Sequence, residues 1–177
     1  MHRARRTFLA VSVLIASVAN AAGAPADLSG GVGIGIDGLL PLWGGYGLVG
    51  IALDMRVGGY VSYAPMRLGD VGVGAELGAW ALVLPLPDRV LVMVELPAYL
   101  SAAFPLGERR TLSALAGYCL FVGSAESTQL THCGALGARL GMESAFLEAG
   151  AFIPVASSGG SAMSLAVIPH IAFGWRP

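Results

Sequence analysis

Few side chains in this 177-residue chain are equipped for chemistry: 11 acids, ten basic residues that are all arginine, three histidines and two cysteines. Cys119 and Cys133 flank a hairpin whose tip falls near Glu126, which sets them opposite each other. In an oxidising compartment that placement predicts a disulfide, worth roughly 3 kcal/mol for a loop of this length. Metal binding is not expected, because no second Cys or His recurs at ligand spacing. His132, beside the serines of 123–131, and His170, near Glu148, are the two candidate general bases. Neither is accompanied by a nucleophile motif such as G-x-S-x-G, so the chain does not read as an enzyme. Gly31 to Gly35 (GVGIG) lacks the helix pattern and lysine of a phosphate loop, and no cofactor is implied.

The remaining candidates are charges placed at regular intervals: Asp37, Asp54, Arg56, Glu76, Glu95, Arg139, Glu148 and, with them, His170. What they can do depends on the elements that carry them. Only 12% of the chain is charged, 55% is hydrophobic and 26 residues are glycine. An ordinary soluble domain carries about 25% charge and about 7% glycine. The formal net charge is −1 and no basic run follows Arg6, which excludes a nucleic-acid partner. So much glycine also argues against a bundle of helices, where each interior glycine costs ~1 kcal/mol.

The N-terminus has the form of a secretory signal peptide. His2, Arg3, Arg5 and Arg6 precede an apolar stretch from Phe8 to Val18, and Ala19-Asn20-Ala21 supplies a small-residue cleavage pattern. The segment is too short for a membrane-spanning helix, which needs ~20 apolar residues. Cleavage is expected after residue 21, or after 24, and the expected domains are a leader over 1–21 and a barrel over 30–177. The mature chain keeps seven arginines against 11 acids.

An exported, apolar chain can satisfy its backbone in lipid only as helices or as a closed barrel. The apolar stretches 38–53, 77–87, 96–107 and 111–125 are too short for helical spans, and 149–175 contains Pro154, a Ser/Gly turn and Pro169. Period two fits instead. Val71, Val73, Ala75, Leu77, Ala79 and Ala81 share one face; Gly72, Gly74, Glu76, Gly78 and Trp80 share the other. The same alternation recurs from Val32, Gly47, Val90, Leu112, Leu136, Ala145 and Leu165. No position on the apolar faces of these segments is charged, whereas the eight residues named above all fall on the opposite face. Apolar-out and polar-in over segments of this length predicts an all-β, eight-stranded antiparallel up-and-down transmembrane β-barrel.

Turn residues punctuate the pattern near 38–45, 66–70, 84–88, 104–110, 123–131, 141–143 and 154–162, giving eight strands with both termini on one side. Gly58-Gly59 is expected to bend or bulge a single long strand. Aromatics are expected in two belts, one holding Trp43, Tyr46, Trp80, Tyr118, Phe121 and Phe152, the other Tyr60, Tyr63, Tyr99, Phe104, Phe146, Phe173 and Trp175, with Trp80 and Tyr60 exceptions of inward parity.

With its leader, eight alternating segments and a final strand over 165–175, the chain resembles the small outer-membrane barrels of the OmpA/OmpX type. The resemblance covers residues 30–177 and is architectural. That family's last strand usually ends in an aromatic; here Arg176-Pro177 follow Trp175. The resemblance implies a bacterial outer-membrane location, lipid as the surrounding solvent, periplasmic chaperones and the barrel-insertion machinery as partners, and a monomer. The expected role is structural, with the inward charges forming a buried network that fills the lumen. A narrow cation-preferring pore for small solutes and surface adhesion through the outer loops are the alternatives.

Overall fold

The structure is a computed structural model that describes residues 28–38, 40–41, 54–85, 90–124, 128–158 and 166–176. Eight long strands carry the chain: β1 (Leu28–Asp37), β2 (Asp54–Leu68), β3 (Val71–Pro85), β4 (Val90–Pro105), β5 (Thr111–Ser124), β6 (Thr128–Gly141), β7 (Ala145–Ser157) and β8 (Ala166–Trp175). Each pairs antiparallel with the next, and β1 pairs with β8, so the sheet closes on itself. The architecture is an eight-stranded up-and-down β-barrel.

The stagger of the ring follows from the registers. From Leu28 the partners run through Tyr63, Ala75, Leu100, Ala116, Leu136, Ala151 and Pro169, strand by strand. The carbonyl of Pro169 then accepts from the N–H of Gly38, ten residues beyond the start. A shear of ten over eight strands tilts them by roughly 40° from the barrel axis. One consequence matters for the lumen: residues at equal depth on distant strands are far out of step in sequence.

Most breaks fall where the turn residues place them, with differences that have physical causes. The first strand outlasts the expected break at residue 38, because Leu40 and Pro41 pair with Val167 and Ala166 in the register β1 already holds with β8. The hairpin between β5 and β6 is tighter than 123–131, since Ser124 pairs with Thr128. Gly58 and Gly59 hold an unbroken register with Trp80 and Ala79; the irregularity lies instead between Tyr63 and Met66, across Pro65, which has no N–H to offer a ladder. A second irregularity lies between His132 and Cys133, against Pro154. Gly69 and Gly107 turn the chain at the end that holds the termini, with φ of 63° and 90° that favour glycine. The leader at 1–21, Trp43, Tyr46 and Glu126 lie outside the described residues.

The polarity of the wall is inverted relative to a water-soluble barrel. Outward positions are apolar and open, with Leu77 67%, Leu100 73% and Ile171 60% exposed. Inward positions hold aromatics, glycines and charges. Tyr60 and Trp80 are buried in the lumen, as their inward parity predicts, and Tyr99, Phe121, Phe146 and Phe152 are buried there too, which removes these four from the lipid-facing belts. An eight-stranded ring has space for side chains but little else, and these rings are what fill it. Phe146 meets Tyr60 edge-on at 5.2 Å, and Phe121 meets Phe152 likewise at 5.2 Å. Glycine on β1 makes the room: a Cβ on Gly31 would stand 2.9 Å from both the Phe146 and Tyr60 rings.

Candidate functional site

Parity draws inward charges from seven of the eight strands. Asp37 comes from β1, Arg56 from β2, Glu76 from β3, Glu95 from β4, Arg139 from β6, Glu148 from β7 and His170 from β8, and all seven are buried. Asp54 takes the register position opposite Asp37, and its side chain lies outside the described structure. The remaining strand, β5, contributes Cys119 to the same interior.

Two guanidiniums organise the cluster. Arg56 donates from Nη1 to Glu95 Oε2 at 3.2 Å and from Nη2 to Glu148 Oε1 at 3.1 Å, with Asp37 Oδ1 3.6 Å from Nη1. Arg139 donates to both oxygens of Glu76 and, from Nε at 2.9 Å and from Nη2, to Glu148 Oε2. Glu148 therefore joins the two halves, one oxygen to each arginine. His170 Nε2 lies 3.2 Å from Glu148 Oε1. Each guanidinium also lies against an aromatic face: Arg56 over Trp80 at 4.2 Å and Arg139 over Tyr60 at 3.4 Å. Such contacts are worth upwards of 2 kcal/mol where water is excluded.

The shear decides who meets whom. Glu76 pairs in register with Ser62, six residues along β2 from Arg56, and it meets Arg139 across the lumen rather than Arg56 beside it. Arg139 and Glu148 are direct register partners, as are Asp37 and His170. Arg56–Asp37 and His170–Glu148 also join neighbouring strands, whereas Arg56–Glu95, Arg56–Glu148 and Arg139–Glu76 bridge strands that are not neighbours and tie separate parts of the wall together. Among the described residues, four buried carboxylates face two buried guanidiniums and one imidazole. Both oxygens of Asp37 and Oε1 of Glu95 make no hydrogen bond to protein.

The cysteines meet as the hairpin reading places them, in direct register across β5 and β6. Both are free thiols in the structure, where the sequence leads one to expect a disulfide. They lie in a dry cluster with Tyr99, Leu115, Phe121, Ala135 and Phe152.

Among the described residues, neither candidate base makes a hydrogen bond to a serine or cysteine side chain. His170 is enclosed in the lumen, stacked on Phe152 at 4.5 Å. His132 has the opposite parity to Cys133 and accepts or donates at Nδ1 in a hydrogen bond with the hydroxyl of Tyr118. That Tyr118–His132 pair escapes sequence reasoning because the two lie on different strands and are not direct register partners. No group of three metal-ligating side chains with holding geometry occurs among the described residues.

The sequence matches no protein-family model and no curated protein. Among solved structures it is similar to Ail, the attachment invasion locus protein of Yersinia pestis, at 12% identity and a TM-score of 0.47 over 85% of this chain and 97% of that one. It is also similar to the N-terminal β-barrel domain of Pseudomonas aeruginosa OprF, at 16% identity and a TM-score of 0.42 over 83% of this chain and 97% of that one.

Proposed function

We propose that this chain is an integral outer-membrane barrel protein with a structural role in the envelope, its lumen closed by the charge cluster. The observation that carries the reading is the inverted polarity of the wall. Leu77, Leu100 and Ile171 are open to the surroundings while Arg56, Arg139 and four carboxylates are sealed inside. In water that arrangement would be costly on both counts, exposing a continuous apolar surface and burying charge. In lipid the outer face meets its own kind, and closure of the ring leaves no unpaired strand edge. The secretory leader over 1–21, delivery by periplasmic chaperones and the insertion machinery, and a monomeric state belong to the same reading, as does the absence of a catalytic role.

Sucrose-gradient fractionation of envelopes from cells expressing the full chain tests location: recovery with outer membranes is expected, and recovery in the soluble fraction contradicts it. The second reading, a narrow cation-preferring pore, draws on the excess of buried carboxylates over guanidiniums. Planar-bilayer recordings separate the two. The filled lumen is expected to give no resolvable steps, and steps that persist in the purified monomer would establish the pore.

A further inference from the structure

Cys119 and Cys133 hold positions that decide not only whether they can bond but when. As register partners on adjacent antiparallel strands, their Cα atoms stand about 4.5–5.5 Å apart. That range lies inside the roughly 4.4–6.8 Å that a disulfide spans, so a bond needs no change of register. Both residues are 0% exposed. Tyr99, Phe121 and Phe152 close over them from β4, β5 and β7, and Pro154 of β7 pairs with Cys133 on its other side.

Thiol–disulfide exchange requires a thiolate to reach a sulfur of the carrier. In the closed barrel no carrier can reach either one, and opening the wall beside them means breaking ladders that a bilayer offers no water to replace. We infer that the Cys119–Cys133 bond is made on the exported chain before the barrel closes, so that β5 and β6 enter assembly as a covalently registered hairpin. The closed barrel then keeps whichever redox state it was built with. The inference rests on the exported-barrel reading above.

The chemistry is a two-step exchange with a disulfide-bearing oxidant. One cysteine, as thiolate, attacks a carrier sulfur to give a mixed disulfide and expels the carrier's other thiolate. The second cysteine then attacks the first, forming the Cys119–Cys133 bond and releasing the carrier as a dithiol. The two cysteines lose two protons and two electrons, and the carrier gains both.

The test uses the mature chain unfolded in urea, either reduced or oxidised with oxidised glutathione, then folded into phospholipid vesicles. Heat-modifiable gel mobility reports barrel formation separately, so failure of the barrel reading shows as an unshifted band regardless of thiol state. In the folded, reduced barrel, maleimide labelling and oxidation by oxidised glutathione are expected to be at least about 100-fold slower than in urea. The folded, oxidised barrel should resist dithiothreitol to a similar degree. Comparable rates in folded and unfolded protein would overturn the inference. In cells, acid-quenched outer membranes should yield the bonded form, and a folded chain with two alkylatable thiols would overturn it equally. Cys119→Ser combined with Cys133→Ser keeps the comparison interpretable, because a barrel that still folds shows that the bond is not required for closure and that the protection measured above belongs to the closed fold.

Discussion

Glu148 is the residue on which the lumen turns. Among the described residues it is the only carboxylate that contacts both guanidiniums, Arg56 through Oε1 and Arg139 through Oε2. Glu148→Gln leaves two buried cations each short of a counter-charge, and breaking a buried pair costs ~3–5 kcal/mol. Urea unfolding from vesicles should show a loss of that size; a loss below about 1 kcal/mol would mean that Glu76 and Glu95 suffice to hold the arginines. The glycines divide by the same kind of local argument. A Cβ on Gly150 would meet the Leu136 carbonyl at 2.5 Å and the His170 ring at 2.7 Å, whereas at Gly134 the nearest atom is 4.0 Å away. Gly150→Ala is therefore expected to cost roughly 1–3 kcal/mol, and Gly134→Ala to fall within about ±0.5 kcal/mol. Equal effects in the same unfolding assay would contradict the packing described.

At the scale of the strand, the face of each residue governs its tolerance. Leu77 points outward near the middle of β3. Leu77→Arg should destabilise the lipid-embedded barrel by about 2–4 kcal/mol, the cost of an arginine near the bilayer midplane. Glu108→Arg, in the turn between β4 and β5, should be near neutral. A neutral Leu77→Arg would place that face in water. Strand identity and side-chain parity are legible in the sequence because both follow from period two. Asp37, Arg56, Glu76, Glu95, Arg139, Glu148 and His170 can be assigned inward without coordinates because the opposite face of each segment carries no charge at all. Their partners cannot. A shear of ten carries Glu76 away from Arg56 and toward Arg139, 63 residues off, and nothing local in the sequence encodes that offset. The aromatics depart from the two expected belts for a related reason. Nearness to a strand end is a weaker guide than parity, and parity puts Phe121, Phe146 and Phe152 inside. Proline shows the limit again, since Pro65 disrupts its ladder while Gly58-Gly59 does not.

For the molecule as a whole, closure and polarity act together. The β1–β8 pairing removes both free edges, and the ion pairs between non-neighbouring strands brace the ring from within. The apolar exterior then leaves lipid as the solvent in which the closed state is favourable, and folding is expected to be coupled to membrane insertion. The most direct measurement is to dilute the urea-unfolded chain lacking residues 1–21 into buffer and, in parallel, into phospholipid vesicles, and to compare unheated with boiled samples on a gel. The account expects a band of altered mobility in the unheated vesicle sample, with a β-sheet circular dichroism spectrum, and aggregation in buffer. A folded, monodisperse protein in lipid-free buffer, with mobility indifferent to heating, would contradict it.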